Sequence, residues 1–405
     1  MDHLRSLRCV SAVADSGSTS AAAQKLHVSQ SSVVRAVQSL EQALGSTLFE
    51  RSSQGMNATA VGAELSLRAH RALMLLAQGS RTPRQATPGT SSPPLAWLGS
   101  RLALGVTSRH LNVLLGLAQA PSEASAARAL GISQSAVHQT LTQLEHMAGA
   151  PLFLRVRTGL RPTEAGDALL LSCKLARAEL EQAADTIAAQ HGVVQGRLVI
   201  GTLPFSTGRL LSEAVDQLLR AHPLVGVTII DGTYDMLLQQ LRQADIDVMV
   251  GALRPTPALP ELAQEVLFLD RLAVIARAGH PLTGKPGLSW QDLQASAWIM
   301  PMPHTPAQAA FDQALALAGL PVPADSLRVN SALMMQALLT RSDRLALMSP
   351  RQLQAEIQAG LLVELAIPVQ HAARSIGMVT RKAYRPAPAA SYLLTTLRSV
   401  AQQIS

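Results

Sequence analysis

The chain has 405 residues, 48% of them apolar and 15% charged, with a formal net charge of +7. That balance fits about two to four packed domains and excludes a disordered chain. Two cysteines, Cys9 and Cys173, exclude a disulfide framework or a zinc cluster, and no apolar run reaches the roughly 18 residues of a membrane span.

In chain order, an apolar helix is predicted from Leu4 to about Ala14, followed by a turn at Ser16-Gly17. Ser18 and Ser29 are N-cap candidates for helices through Leu26 and about Leu44. Val33, Val37, Leu40 and Leu44 bury one face of the later helix, leaving Gln30, Ser31, Val34, Arg35 and Gln38 on the other. A wing closed by Leu48-Phe49 and a helix from Thr59 follow; Leu65, Ala69, Ala72 and Leu76 give that helix a short seam. Residues 1–78 thus form one unit, and residues 79–100, rich in Pro, Ser, Thr and Gly, read as a flexible tether.

The same text then returns at an offset of 104 residues, without a gap from Ala22 to Gly62. Ser29-Gln30-Ser31-Ser32-Val33 recurs as Ser133-Gln134-Ser135-Ala136-Val137, Leu40-Glu41 as Leu144-Glu145, and Gly55, Thr59 and Gly62 as Gly159, Thr163 and Gly166. Helices are therefore expected near 107–119, 122–130 and 133–147, a wing at 151–162, and a long helix from Thr163 to about Gln190. Leu169, Cys173, Ala176, Leu180, Ala183 and Ile187 line that helix at seam spacing and predict dimerisation through it, with residues 101–192 as the second unit.

From Gln195 short β-rich runs alternate with helical stretches, which argues an α/β domain over residues 193–405. The late return of strand and helix suggests two lobes, about 193–270 with 375–405, and about 271–374. The fold class is α plus α/β: two winged helix-turn-helix units, each with a long linker helix, then a two-lobed domain.

Each helix-turn-helix can lay a recognition helix in the major groove, where Gln pairs with adenine, Arg with guanine and Ser with several edges. The candidate DNA contacts are Ser29, Gln30, Ser31, Ser32, Arg35 and Arg51 in the first copy. In the second they are Ser133, Gln134, Ser135, His138, Gln139, Arg155, Arg157 and Arg161. The copies divide these tools unequally: Arg35 aligns with Gln139, while Arg157 and Arg161 align with Ser53 and Asn57. Of the +7, residues 1–100 hold +4, with nine basic against five acidic side chains, at the end where DNA is expected. The bland alternative is that winged helices serve only protein contact.

No catalytic set emerges: there is no phosphate-cradling Gly loop, no G-x-S-x-G and no H-E-x-x-H, and neither metal nor cofactor is expected. His222 and His280 each precede proline and read as turn residues. His304 is a candidate to face a cleft between lobes. Ser206-Thr207 and Thr233 are helix starts whose amides suit a carboxylate or hydroxyl; plain N-caps explain them equally well.

These residues resemble the LysR-type transcriptional regulators. The pattern is Val13-Ala-Asp-Ser-Gly-Ser18, Ala21–Ala23, Leu26-His-Val-Ser-Gln30, Arg35, Leu40-Glu41, Leu48-Phe49-Glu-Arg51 and Gly62, with Leu144-Glu145, Leu152-Phe153, Arg155 and Thr163-Glu-Ala-Gly166 in the second copy. Gly196-Arg-Leu-Val-Ile-Gly201, His222-Pro223, Ile246-Asp247 and Gly279-His-Pro-Leu282 are similar to the family's effector domain, most of all in the branch containing the galactose-binding-protein regulator. The resemblance implies a periplasmic-binding-protein-like (type 2) sensor domain, double-stranded DNA and a small-molecule effector as partners, RNA polymerase among the contacts, and a homodimer or homotetramer. It also implies an effector site between lobes, carried by loop position onto Ser206, Thr207, Thr233, Arg254, His304 and Ser331. Lobe closure would move the long helices and re-space the readers.

A typical member has one reader, so the second copy is a departure. By position the second copy is the usual one; by Arg35 the first is closer. The leading expectation is that both touch DNA, the first supplying more base reading and the second more backbone grip. The alternative is that only the first reads and the second is an assembly module. A transport solute-binding protein, which the carboxy-terminal half alone suggests, is disfavoured by the readers and by an opening, MDHLRSLRCV, without an apolar signal core. The expected location is the cytoplasm.

Overall fold

The computed structural model describes residues 4–53, 55–79, 95–204, 208–254, 259–323, 327–370 and 372–404. It divides into two compact units, between Val194 and Gln195.

In the first unit α1 (Leu4–Ser16), α2 (Thr19–Leu26) and α3 (Gln30–Leu44) precede the hairpin β1 (Phe49–Ser52)–β2 (Gly55–Ala58) and α4 (Ala60–Gln78). After a 3-10 turn, Ala96–Gly99, and α5 (Arg101–Gly105), the pattern repeats. α6 (Ser108–Gln119), α7 (Glu123–Leu130) and α8 (Gln134–Ala148) lead to β3 (Phe153–Val156)–β4 (Gly159–Pro162) and α9 (Glu164–Gln190).

The repeated residues each have a structural duty. Ser29 and Ser133 cap α3 and α8 by accepting from Ser32 N and Ala136 N, both at 3.2 Å, each cap worth about 1 kcal/mol. Glu41 and Glu145 reach forward to accept from Leu48 N at 2.8 Å and Leu152 N at 2.9 Å, fixing the turn into each wing. Thr59 and Thr163 cap the long helices on Gly62 N and Gly166 N. Both glycines are required sterically, because a Cβ would lie 1.8 Å from Leu48 O or 2.1 Å from Leu152 O.

Buried residues from Leu4 to Ile187 form one continuous core across the two copies. Its centre is the packing of α4 on α9 within the same chain. Leu169, Cys173, Ala176, Ala183 and Ile187 are buried there, with Leu180 partly so, against a helix that buries Leu65, Ala69, Ala72 and Leu76. The seam expected to join two copies of the chain is thus filled from within one chain, because the first copy offers a matching stripe. The tether expected over 79–100 does not extend over residues 95–100. Residues 80–94 lie outside the described residues, but Leu95 and Trp97 are buried, and Ser100 caps α5 through Ala103 N. Large apolar side chains draw this stretch into the core.

In the second unit a five-stranded sheet runs β6-β5-β7-β13-β8, built from β5 (Gly196–Thr202), β6 (Val225–Asp231), β7 (Val248–Ala252), β8 (Leu262–Arg271) and β13 (Ala373–Arg381). A four-stranded sheet runs β10-β11-β9-β12, from β9 (Ala273–Arg277), β10 (Ala297–Ile299), β11 (Arg344–Met348) and β12 (Leu362–Glu364). β5, β6 and β7 are mutually parallel, whereas β13 runs antiparallel to both neighbours. Helices α10 (Gly208–Ala221), α11 (Tyr234–Arg242) and α15 (Pro388–Ile404) accompany the larger sheet; α12 (Pro306–Leu317), α13 (Ala332–Arg341) and α14 (Gln354–Gln358) accompany the smaller. The chain crosses between lobes at Leu272 and returns at Ala372, where Leu272 N donates to Ala372 O at 3.0 Å.

Candidate nucleic-acid interface and ligand cleft

The amino-terminal turns of α3 and α8 are open to solvent. Ser29, Gln30, Ser31 and Arg35 are exposed and Ser32 half-buried; Ser133, Gln134, Ser135, His138 and Gln139 are exposed as well. Burial of Val33, Val37 and Leu40, and of Val137, Thr140, Leu141 and Leu144, on the opposite faces fixes this orientation. On the wings Arg51, Arg155, Arg157 and Arg161 are all exposed. The arrangement offers base-reading side chains on a helix and guanidinium groups beside it for phosphates.

The two faces differ in one feature that sequence alignment places but does not interpret. Glu123, at the first position of α7, is buried, and its carboxylate accepts from Arg155 Nη2 at 2.8 Å and lies 3.3 Å from His138 Nδ1. The aligned residue of the first copy is Thr19, whose hydroxyl accepts from Gln30 Nε2 at 3.1 Å. Two candidate contacts of the second reader are thereby tied to an internal acid. Arg51 makes no ion pair among the described residues.

In the second unit a cavity of about 690 Å³ opens between the two sheets. Thr233, Arg254, His304 and Ser331 line it; Ser206 and Thr207 lie outside the described residues. Thr233, Thr305 and Ser331 cap α11, α12 and α13, so three helix amino ends open on this space. Arg254 stacks over Tyr234 at 4.1 Å and lies 3.9 Å from Asp235. His304 sits in a left-handed turn, φ 58°. Met300, Met302, Met335 and Met348 supply much of the apolar wall.

Sequence reasoning missed Arg374 and its partner. Arg374 faces Asp270 in the β8–β13 register, and its Nε and Nη2 donate to Asp270 Oδ2 at 3.0 and 2.9 Å. Ser349, from the smaller lobe, donates to Asp270 Oδ1 at 2.8 Å. Burial pushes the Arg374 guanidinium down from its ordinary range, and Asp270 opposes that shift. The three side chains knot the crossing strands to the lobe beyond them, and Ser349 and Arg374 also line the cavity. His280 is a buried turn residue, accepting from Leu282 N at 3.1 Å, and His222 packs edge-on to Tyr392.

The comparisons agree with this division. The model of the bacterial regulatory helix-turn-helix protein, lysR family, matches residues 4–63 and 108–167, and that of the LysR substrate binding domain matches residues 191–402. The chain is 34% identical to the HTH-type transcriptional regulator GalR of Pseudomonas putida over 99% of its own length and 98% of that protein's. Among solved structures it is similar to a full-length OxyR variant from Pseudomonas aeruginosa, TM-score 0.53 at 19% identity, over 72% of this chain and 97% of that one. It is similar also to full-length LysG from Corynebacterium glutamicum with bound effector Arg, TM-score 0.52 at 21% identity, over 73% of this chain and 97% of that one. The chain belongs to the LysR family of bacterial transcriptional regulators, with the family's helix-turn-helix present twice ahead of its effector-binding domain.

Proposed function

We propose that the chain is a sequence-specific DNA-binding regulator whose two readers both meet DNA and whose response is set by a small molecule held between the lobes of residues 195–405. The observation that carries the DNA reading is the exposed, serine-capped start of α3 beside Arg35 and Arg51. The first reader supplies more base contact through Gln30 and Arg35. The second supplies more backbone grip through Arg157 and Arg161. Footprints of Arg35→Ala and Gln139→Ala proteins test this division; unchanged base preference after losing Arg35 sinks it. A good bidentate contact to a base is worth about 1–3 kcal/mol.

The ligand reading rests on three helix amino ends, Arg254 and a methionine-rich wall meeting at one cavity. Positive helix ends and a guanidinium favour an anionic or hydroxyl-bearing end of the ligand, and the thioethers adapt to its apolar body. A thermal-shift series with small organic acids and sugars, run on wild type and on Ser331→Trp, tests it. The expected result is a compound that raises the wild-type melting temperature and leaves the blocked variant unmoved. Equal shifts in both proteins place the ligand elsewhere.

Glu123 favours a second reading, in which only the first copy reads DNA and the second serves assembly. The slope of log affinity against log salt separates the two, since each phosphate contact adds about 0.9 to it.

A further inference from the structure

Because α4 and α9 are copies, three pairings are open to them: first with first, second with second, and first with second. The side chains select the mixed pair. Arg68, only 2% exposed, donates through Nη1 to Glu179 Oε2 and to Gln182 Oε1, both at 3.0 Å, and through Nε to Glu64 Oε1 at 2.8 Å. Arg71 Nη2 reaches the other oxygen of Glu179 at 2.7 Å. The residues aligned with Arg68 and Arg71 in α9 are Ser172 and Leu175, and the residue aligned with Glu179 in α4 is Leu75. An α4 pair therefore brings four arginines to a seam that has each helix's own Glu64 and no Glu179, and an α9 pair buries Glu179 with no arginine from either equivalent position. A buried charge deprived of its partner is strongly unfavourable, so the code works by rejecting like pairs as well as by joining unlike ones.

A second feature ties the copies at another point. Arg8 of α1 is buried and donates to the backbone carbonyls of Ala103, at 2.7 Å, and Val106, in the stretch leading into the second copy. The residue aligned with Arg8 is Asn112, so this contact also has no like-with-like version. Trp97 and Leu102, fully buried in the same stretch, fill the core that spans both copies.

We propose that α4 and α9 pair in cis, so that one polypeptide is a complete two-reader DNA-binding unit, and that the operator it reads consists of two unlike half-sites. The second clause rests on the DNA reading above. The readers share Ser-Gln-Ser at their helix starts, then diverge: Val34, Arg35 and Gln38 in one stand against His138, Gln139 and Thr142 in the other. Two identical chains joined by a two-fold axis favour a palindrome. Two unlike readers in one chain favour a sequence without that symmetry.

Cross-linking of the full chain tests the pairing without DNA. A Cβ on Gly79 would stand 2.9 Å from Ser172 Cβ, so Gly79→Cys and Ser172→Cys can be bridged after a small backbone adjustment, in a background lacking Cys9 and Cys173. The chain carrying both cysteines is expected to oxidise to a species of single-chain mass that runs faster than its reduced form. A mixture of two differently tagged chains, each carrying one of the cysteines, is expected to give no two-chain product. A two-chain product from the mixture, or no bridge in either preparation, overturns the pairing. Operators selected from random duplex DNA by the unmodified wild-type chain test the second clause. Two unlike half-sites are expected, with Arg35→Ala erasing protection in one and Gln139→Ala in the other. A palindromic operator, or loss of the same half by both variants, overturns it. A bridge formed within one chain, together with a wild-type chain that selects no DNA, refutes the DNA reading while the pairing stands.

Discussion

Glu123 holds Arg155 at 2.8 Å in the second wing, whereas Arg51, the same residue in the first wing, has Thr19 in the place of that acid. A guanidinium already paired with a carboxylate must give up that contact to reach a phosphate, and the carboxylate left behind repels the backbone. Replacing Glu123 with threonine should release both Arg155 and His138. Binding measured by fluorescence anisotropy over a salt series should steepen by about one phosphate contact, roughly 0.9 in the log–log slope. The loss of an acid at a helix start costs about 0.5 kcal/mol, too little to unfold the unit. An unaltered slope means that Arg155 does not reach the backbone.

The α4–α9 seam makes a prediction about stability. Glu179→Ala removes the carboxylate that Arg68 and Arg71 share, while Arg68 keeps Glu64 and Gln182, and should cost about 3–5 kcal/mol in urea unfolding. Replacing Arg68, Arg71 and Glu179 together by Met, Leu and Leu should recover most of that loss, because well-packed apolar side chains remove the desolvation penalty. If the single variant is within about 0.5 kcal/mol of wild type, the size of a change at an uninvolved surface position, the buried network is not formed.

The two glycine pairs behave differently on substitution. Gly62→Ala and Gly166→Ala drive a methyl group into the carbonyls of Leu48 and Leu152, and each should lose about 3 kcal/mol or more. Gly45→Ala and Gly149→Ala meet no atom within 4 Å and bear only the left-handed φ of 62° and 72°, a cost of about 1 kcal/mol. Thermal unfolding of the four variants should rank them in that order.

Cys173 is fully buried in the seam, and burial pushes its thiol up to about 12. In native protein at pH 8 it should resist a thiol reagent that modifies it at once in guanidinium. The sign of the pH effect follows. Above the ordinary value of 9.0 the unfolded thiol ionises while the folded one stays protonated, so this stabilisation is complete below pH 9 and is lost as pH rises toward 12. Cys173→Ala should flatten that part of the alkaline unfolding curve. Rapid labelling of the native chain at pH 8 shows instead that the seam opens readily.

Much of this architecture is written in the residues that recur. Ser29, Glu41, Thr59 and Gly62 return as Ser133, Glu145, Thr163 and Gly166 because each performs a local backbone task that neither copy can omit. Local tasks leave fixed spacings, and fixed spacings can be read. The partner of α9 leaves no such mark. Leu169, Cys173 and Ala176 show that a helix will be covered, but the same stripe serves a neighbouring chain or an earlier helix of its own. The Asp270–Arg374–Ser349 knot is equally invisible, because it joins side chains 79 and 104 positions apart through a sheet register. Of the candidate effector residues, Thr233 was legible as a helix start and Ser331 only by loop position, whereas the methionine wall comes from segments that only the folded lobes bring together.

Covalent union of the readers also changes what a mutation can do. In an assembly of identical chains, one altered codon changes every recognition helix at once, so a drifting promoter must change symmetrically to keep pace. If both readers meet DNA as proposed, a codon in α3 and a codon in α8 are separate letters, and either half of the bound sequence can evolve while the other stays as it was.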